Sequence, residues 1–263
     1  MSNEMTNPLE NLICDGGFVG IFRTIGCIGD SLSSGEFQST KEDGTQGYHD
    51  MYEYSWGQYM ARAAGCKVYN FSRGGMSAKW FNDTYEKECG IWSTEKKCQA
   101  YIIALGVNDV MNQNQEIGAV GDCEKEDYRK DGSFTYAGEY ETIIKKIKAF
   151  QPKARIFLMT IPDNGPSIAP ERREKSARVA ELLSEFCEKY EFTYLIDLFK
   201  YAPKYDADFR AKYFLAGHMN PMGYMIHAKF VTTYIDYIIR NNKEDFKQVP
   251  FIGTPWHSDQ AKW

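Results

Sequence analysis

Four short polar blocks in this chain carry groups suited to nucleophilic attack on a carbonyl. The first, Gly29-Asp30-Ser31-Leu32, closes the apolar run Thr24–Ile28. A serine there stands where a buried strand ends and the turn Ser33-Ser34-Gly35 begins. In an open α/β sheet, ligands bind beyond the carboxyl ends of the strands, so Ser31 is aimed at a site. The second block, Asn70-Phe71-Ser72-Arg73-Gly74-Gly75, ends in a glycine pair whose backbone N–H groups can approach a ligand with no Cβ in the way. The third, Gly106-Val107-Asn108-Asp109, follows the apolar run Ala100–Leu105 and presents the Asn108 amide as a hydrogen-bond donor. The fourth is His218, in Leu215-Ala216-Gly217-His218-Met219-Asn220-Pro221, a loop just before the last helical segment.

Taken singly, each block also reads as a turn, since Gly, Asp, Asn and Ser are ordinary turn formers. Taken together they form a reaction site. A serine nucleophile needs a base, and histidine serves because its pKa lies near neutrality. An oxyanion hole needs two or three fixed donors, each lowering the barrier by roughly 3–4 kcal/mol. The backbone N–H groups of Ser31 and Gly75 and the amide of Asn108 supply three. The remaining histidines are placed less well. His227 falls inside a helical pattern, His49 beside Asp50 in a polar stretch, and His257 in the C-terminal tail.

The elements that must position these blocks are legible as apolar patterns. Strand-length runs at Thr24–Ile28, Lys67–Phe71, Ala100–Leu105, Arg155–Thr160 and Thr193–Ile196 alternate with helical periods at Tyr54–Ala64, Ala137–Phe150, Pro170–Tyr190 and Gly223–Arg240. That alternation predicts βαβ units and one parallel sheet covered on both faces. No linker or repeat divides the chain, so residues 1–263 are expected to form one domain, with its core over about 24–240 and a tail at 241–263. The tail holds Phe251, Trp256 and Trp263, which suit packing on the body or on a partner subunit, and an oligomer built through it is one expectation. The polar stretch Met111–Tyr136 is long enough to be a functional loop such as a lid.

Composition narrows the function classes. The chain has 263 residues, 43% hydrophobic and 25% charged, with a net charge of −5, which is ordinary for a soluble globular protein and offers no basic footprint for nucleic acid. No run approaches the roughly 18 apolar residues of a membrane span, and the N-terminus lacks the basic and apolar regions of a signal peptide. The seven cysteines are scattered without a C-x-x-C pair, so neither a disulfide framework nor a zinc site is indicated, and a reduced cytoplasmic protein is expected. No metal or organic cofactor is called for. Asp15-Gly16-Gly17-Phe18-Val19-Gly20 is glycine-rich but does not follow a strand in the G-x-G-x-x-G form of a dinucleotide site.

In order and spacing the four blocks resemble the SGNH (GDSL-type) serine hydrolases, over roughly positions 24 to 240. The resemblance implies a flavodoxin-like three-layer α/β/α sandwich with a five-stranded parallel sheet. It implies Ser31 as nucleophile and first oxyanion donor, Gly75 and Asn108 as the other donors, and His218 as general base. One departure stands out. The family usually has an Asp three residues before the histidine, where this chain has Leu215. A backbone carbonyl near Leu215, Asp206, Asp208 or Asp197 are the substitutes open to it. The expected activity is a serine ester hydrolase working through an acyl-enzyme. Its substrate is expected to be a small-molecule or oligosaccharide ester, foremost an O-acetylated carbohydrate on which Tyr48, Tyr54, Trp56, Trp80 or Phe81 could stack. A lipid esterase or thioesterase of the same fold, or a non-catalytic binding protein on this scaffold, are the alternatives.

Overall fold

The five apolar runs become one parallel sheet. In the computed structural model, which describes residues 7–165 and 170–263, its strands are β1 (Thr24–Gly29), β4 (Lys67–Ser72), β5 (Ala100–Ala104), β6 (Arg155–Met159) and β7 (Thr193–Ile196), and β2 (Glu36–Thr40) and β3 (Gln46–Asp50) form a separate hairpin. The sheet order is β4-β1-β5-β6-β7, every pair parallel. The expected strands agree with these to within one residue at each end.

Alternation along each strand divides the core into two layers, because successive side chains point to opposite faces. Ile102 of β5 and Phe157 of β6 face one side with Trp56 and Met60 of the Trp56–Ala64 helix and Val231 and Ile235 of the Pro221–Asn241 helix. Ile103 and Leu158 face the other, with Ile143, Ile144 and Ile147 of the Tyr136–Phe150 helix and Leu182, Leu183 and Phe186 of the Pro170–Lys189 helix. Each buried aliphatic side chain stabilises this sandwich by roughly 1.5–3 kcal/mol relative to exposure. The result is the flavodoxin-like three-layer arrangement expected above.

The strand order has a direct consequence for chemistry. β1 lies between β4 and β5, so the chain winds outward from it in both directions, and its carboxyl end is the switch point where such sheets bind ligands. The blocks after β1, β4 and β5 are therefore brought to one edge.

Two further regions differ from the sequence expectation or complete it. The stretch Met111–Tyr136 is pinned down by two buried carboxylates of the following helix. Tyr128 Oη and Arg129 Nε donate to Glu139 Oε1 at 2.8 and 2.7 Å, and Gly121 N–H donates to Glu141 Oε2 at 2.7 Å. These bonds tie the stretch to the helix that follows it. The tail folds back on the sheet: Gln99 Nε2 donates to Val249 O at 2.9 Å, Gln248 Nε2 donates to Ala261 O at 2.6 Å, and the Lys153 ammonium lies 5.4 Å from the centre of the Trp263 ring. Among the described residues no helix is long and apolar enough to cross a membrane.

Candidate active site

Beyond the carboxyl end of β1 the chain makes a single helical turn, Ser31–Ser34, capped by the Asp30 carboxylate accepting Leu32 N–H at 3.0 Å. Ser31 is its first residue, and the N–H groups of a helix's first turn have no intrahelical partner. Gly29 is needed for close packing, since a Cβ there would lie 2.2 Å from Ser33 Oγ. β1 and β4 remain paired past their last residues, with Arg73 N–H donating to Gly29 O at 3.3 Å. This brings the Arg73–Met76 turn beside Ser31. That turn is closed by Met76 N–H donating to Arg73 O at 3.2 Å, and Gly75 takes a left-handed φ of +74° that suits glycine.

Asn108 is oriented from both ends of its amide. Its Nδ2 donates to Met76 O at 3.0 Å, while its Oδ1 accepts from Asn112 Nδ2 at 2.8 Å. One N–H is thus spent on the Gly75 turn and the second is left for a ligand. Behind it, the buried Asp109 accepts Ala78 N–H at 2.8 Å and has a second carboxylate oxygen without a partner among the described residues. Burial pushes the Asp109 carboxyl up to about 7 and the Asp30 carboxyl up to about 6.

His218 sits in a tight hairpin rather than a loop: β8 (Phe214–Leu215) pairs with β9 (His218–Met219) across Ala216, whose φ is +54°, and Gly217. β9 packs against the Ser31–Ser34 turn, and His218 lines a cavity of about 900 Å³ together with Ser31, Gly75 and Asn108. The four residues expected to form the site thus share one cavity.

None of the substitutes expected for the missing Asp faces His218. Asp206 and Asp197 cap short helices, accepting Phe209 N–H at 3.0 Å and Lys200 N–H at 3.1 Å. Leu215 stands exposed, paired with His218 through the backbone. The residue that does face the imidazole is Glu36, at the start of β2, with Oε1 2.9 Å from His218 Nε2. Nδ1 is buried without a partner among the described residues. A hydrogen on Nε2 given to Glu36 leaves Nδ1 as the basic nitrogen, so the carboxylate selects a tautomer, as a triad acid does from the other side of the ring.

Glu36 is itself held in place. Tyr224 Oη donates to its backbone carbonyl at 2.7 Å, and Gln38 Oε1, two residues on, accepts Gly217 N–H at 3.0 Å. Gly74 makes room for it, since a Cβ at Gly74 would lie 2.1 Å from Glu36 Oε2. Burial and the nearby Asp50 raise the Glu36 pKa. Burial lowers that of His218, against the pull of Asp50 and with the push of Arg210. A neutral imidazole is therefore favoured, the form that can take a proton.

The sequence reading missed Glu36, although the hairpin that carries it has a signal. Asp43-Gly44 lies between Glu36–Thr40 and Gln46–Asp50, with Gly44 at φ +82°, and Asp-Gly between two short strands is a strong hairpin marker. The other histidines lie elsewhere. His49, in β3, has Nε2 2.8 Å from Ser39 Oγ on an exposed face; His257 pairs with Asp259 in the tail. His227 is buried at the cavity's edge, its Nδ1 2.7 Å from Tyr205 Oη, and burial pushes its pKa down to about 4. Of the candidate stacking aromatics, Trp56 and Phe81 are fully buried in the core, whereas Tyr48 is 57% exposed with its ring 5.9 Å from that of His218.

Comparison with known proteins gives a consistent result. The model of the GDSL-like lipase/acylhydrolase family matches residues 27–226. No curated protein matches the chain by sequence. Among solved structures, a family two carbohydrate esterase from Clostridium thermocellum, in complex with cellohexaose, is 17% identical with a TM-score of 0.56. The match covers 85% of this chain and 65% of that one. A family 3 carbohydrate esterase of the same organism is 13% identical with a TM-score of 0.52, over 83% of this chain and 97% of its own. A Corynascus thermopiles family 2 carbohydrate esterase with a carbohydrate binding domain is 16% identical with a TM-score of 0.53, over 83% and 67%. At these identities the likeness is one of fold.

Proposed function

Because the chain belongs to the GDSL-like lipase/acylhydrolase family and is a hydrolase of ester bonds, we propose that Ser31 is its nucleophile and an O-acetylated carbohydrate its substrate. The observation that carries the mechanism is the convergence of Ser31, Gly75, Asn108 and His218 on one cavity from four separate elements. Ser31 Oγ attacks the ester carbonyl carbon as His218, held by Glu36, takes the hydroxyl proton. The carbonyl oxygen becomes an oxyanion bound by the N–H groups of Ser31 and Gly75 and by the Asn108 amide. His218 returns the proton to the departing alcohol, and water then cleaves the acyl-enzyme with the same base.

The carbohydrate reading is supported by Tyr48, an exposed ring edge-to-face with His218, of the kind on which a sugar ring stacks. The esterases named above show that this fold serves carbohydrate esters in other proteins. A second reading, a longer acyl chain, is favoured by the exposed Leu215, Met222 and Met225 flanking His218 in sequence. Turnover of p-nitrophenyl acetate against p-nitrophenyl octanoate separates the two. The acetyl ester is expected to be the better substrate, and a strong preference for octanoate would replace the carbohydrate reading with the lipid one.

A further inference from the structure

The cavity that holds Ser31 and His218 is also lined by two arginines from separate helices. Arg172 comes from the first turn of the Pro170–Lys189 helix and Arg210 from the Ala207–Tyr213 helix. Two other arginines of the Pro170–Lys189 helix show what an arginine ordinarily does here. Arg173 meets Asp163 at 3.3 Å and Arg178 meets Glu185 at 2.8 Å. Arg172 and Arg210, by contrast, make no ion pair with a carboxylate among the described residues.

Arg210 is partly occupied as a support. Its guanidinium lies 4.2 Å from the centre of the Phe214 ring, and Nη2 donates to Ala216 O at 3.3 Å, both in the hairpin that carries His218. A guanidinium has five N–H donors, so most of its hydrogen-bonding capacity remains free, and no carboxylate among the described residues neutralises its charge. Burial and the charge of Arg172 both lower the Arg210 pKa, the effect of two cations facing one partly enclosed space. The carboxylates that share the cavity are engaged elsewhere: Asp30 with Leu32 N–H, Glu36 with His218.

Two guanidinium groups without a carboxylate partner among the described residues, lining one cavity, are matched by an oxyanion, which each can grip through N–H bonds. We propose that Arg172 and Arg210 form a subsite for an anionic oxygen group of the substrate, a carboxylate or a phosphate. This rests on the ester-hydrolase reading only in assigning the anion to the substrate. The preferred ester is then one whose alcohol or acyl half is negatively charged, and neutral acetyl esters are the poorer substrates.

The test compares O-acetylated methyl glucuronoside, its carboxyl methyl ester, and O-acetylated glucose 6-phosphate. For the wild type, kcat/KM for a charged ester should exceed that for the neutral one by roughly tenfold to a hundredfold, the worth of a charge-assisted pair. Arg172→Gln and Arg210→Gln should each bring that ratio toward one, and Arg172→Lys should retain more of it than Arg172→Gln. The better of the carboxylate and phosphate esters identifies the anion. A ratio near one for both anions, or a preference that survives Arg172→Gln, overturns the proposal while leaving the ester-hydrolase reading intact. If none of the esters is cleaved, it is the carbohydrate-ester substrate that fails, and calorimetry decides the subsite. Glucuronate or glucose 6-phosphate binding more tightly than glucose, with the difference lost in Arg172→Gln, sustains it; equal binding of all three overturns it.

Discussion

The two halves of this site are held in different ways. The proposed oxyanion side consists of turns at the ends of β1, β4 and β5, adjacent strands of the central sheet paired to their last residues. Its donors are fixed by the core: Asn108 by Met76 O and Asn112, Gly75 by its closed turn, Ser31 by the Asp30 cap. The base side consists of two short hairpins outside the central sheet, which touch one core layer through Met219, Phe37 and Phe214. His218 sits on a two-residue strand, and Glu36 reaches it from β2, braced by single hydrogen bonds from Tyr224 and through Gln38. Under the proposed mechanism, oxyanion stabilisation would rest on the sheet, whereas the orientation of the base would depend on a few contacts between surface elements. On that reading Glu36, from β2, takes the place of the carboxylate that usually lies three residues before the histidine.

Perturbing each half should give different signatures. On the rigid side, Asn108→Ala removes a preorganised donor and should lower kcat by roughly 10²–10³-fold with little change in the pH profile, as measured on p-nitrophenyl acetate. A loss below tenfold would remove Asn108 from the oxyanion hole. On the adjustable side, Glu36→Leu should lower kcat by roughly tenfold or more, short of the ~10⁴-fold supplied by a fully buried triad acid, because Glu36 is partly exposed. It should also change the pH dependence. In the wild type, His218 is depressed below the ordinary histidine value, so kcat/KM should fall with acid only below about pH 6.5. A Glu36→Leu profile identical to the wild type in height and limb would show that Glu36 does not orient the base.

The smallest effect concerns stability on the rigid side. Asp109 titrates near 7 when folded against 3.8 ordinarily, so the folded state binds the proton more tightly. That contribution is fully present below about pH 4 and is lost as pH rises toward 7, a change of about 4 kcal/mol. Asp109→Asn cannot ionise at that position, so its Tm should fall less between pH 5 and 8 than that of the wild type, both sharing the loss due to Asp30. Parallel curves for the two proteins would show that Asp109 is already ionised in the fold.

The rigid half was also the legible half. A strand buried on both faces is a continuous apolar run, which is why Ala100–Leu105 and Arg155–Thr160 could be read to within a residue, and the polar blocks at their ends followed from chain order. Whether such blocks meet depends on strand order, and here the family resemblance supplied what periodicity cannot. The base side was read only in part. His218 was found from its place before the last helix, but a two-residue strand has no periodicity to reveal the hairpin around it. Glu36 stands 182 positions earlier in the chain and meets His218 only through the docking of two hairpins. Asp43-Gly44 marks the first hairpin, yet nothing local says against what it docks. Attention to the position three before the histidine pointed toward Asp206 and Asp208, which share that neighbourhood in sequence and serve the adjacent helix.

The central claim is that Ser31 is an activated nucleophile, and it is met most directly by covalent labelling. The folded protein is incubated with a fluorophosphonate, digested, and the modified peptide located by mass spectrometry, with Ser31→Ala treated alongside. A single adduct on the peptide containing Ser31, absent from the variant, is the predicted result. An unmodified Ser31 in folded protein, or an adduct that persists in Ser31→Ala, would contradict it and favour a binding protein on this scaffold.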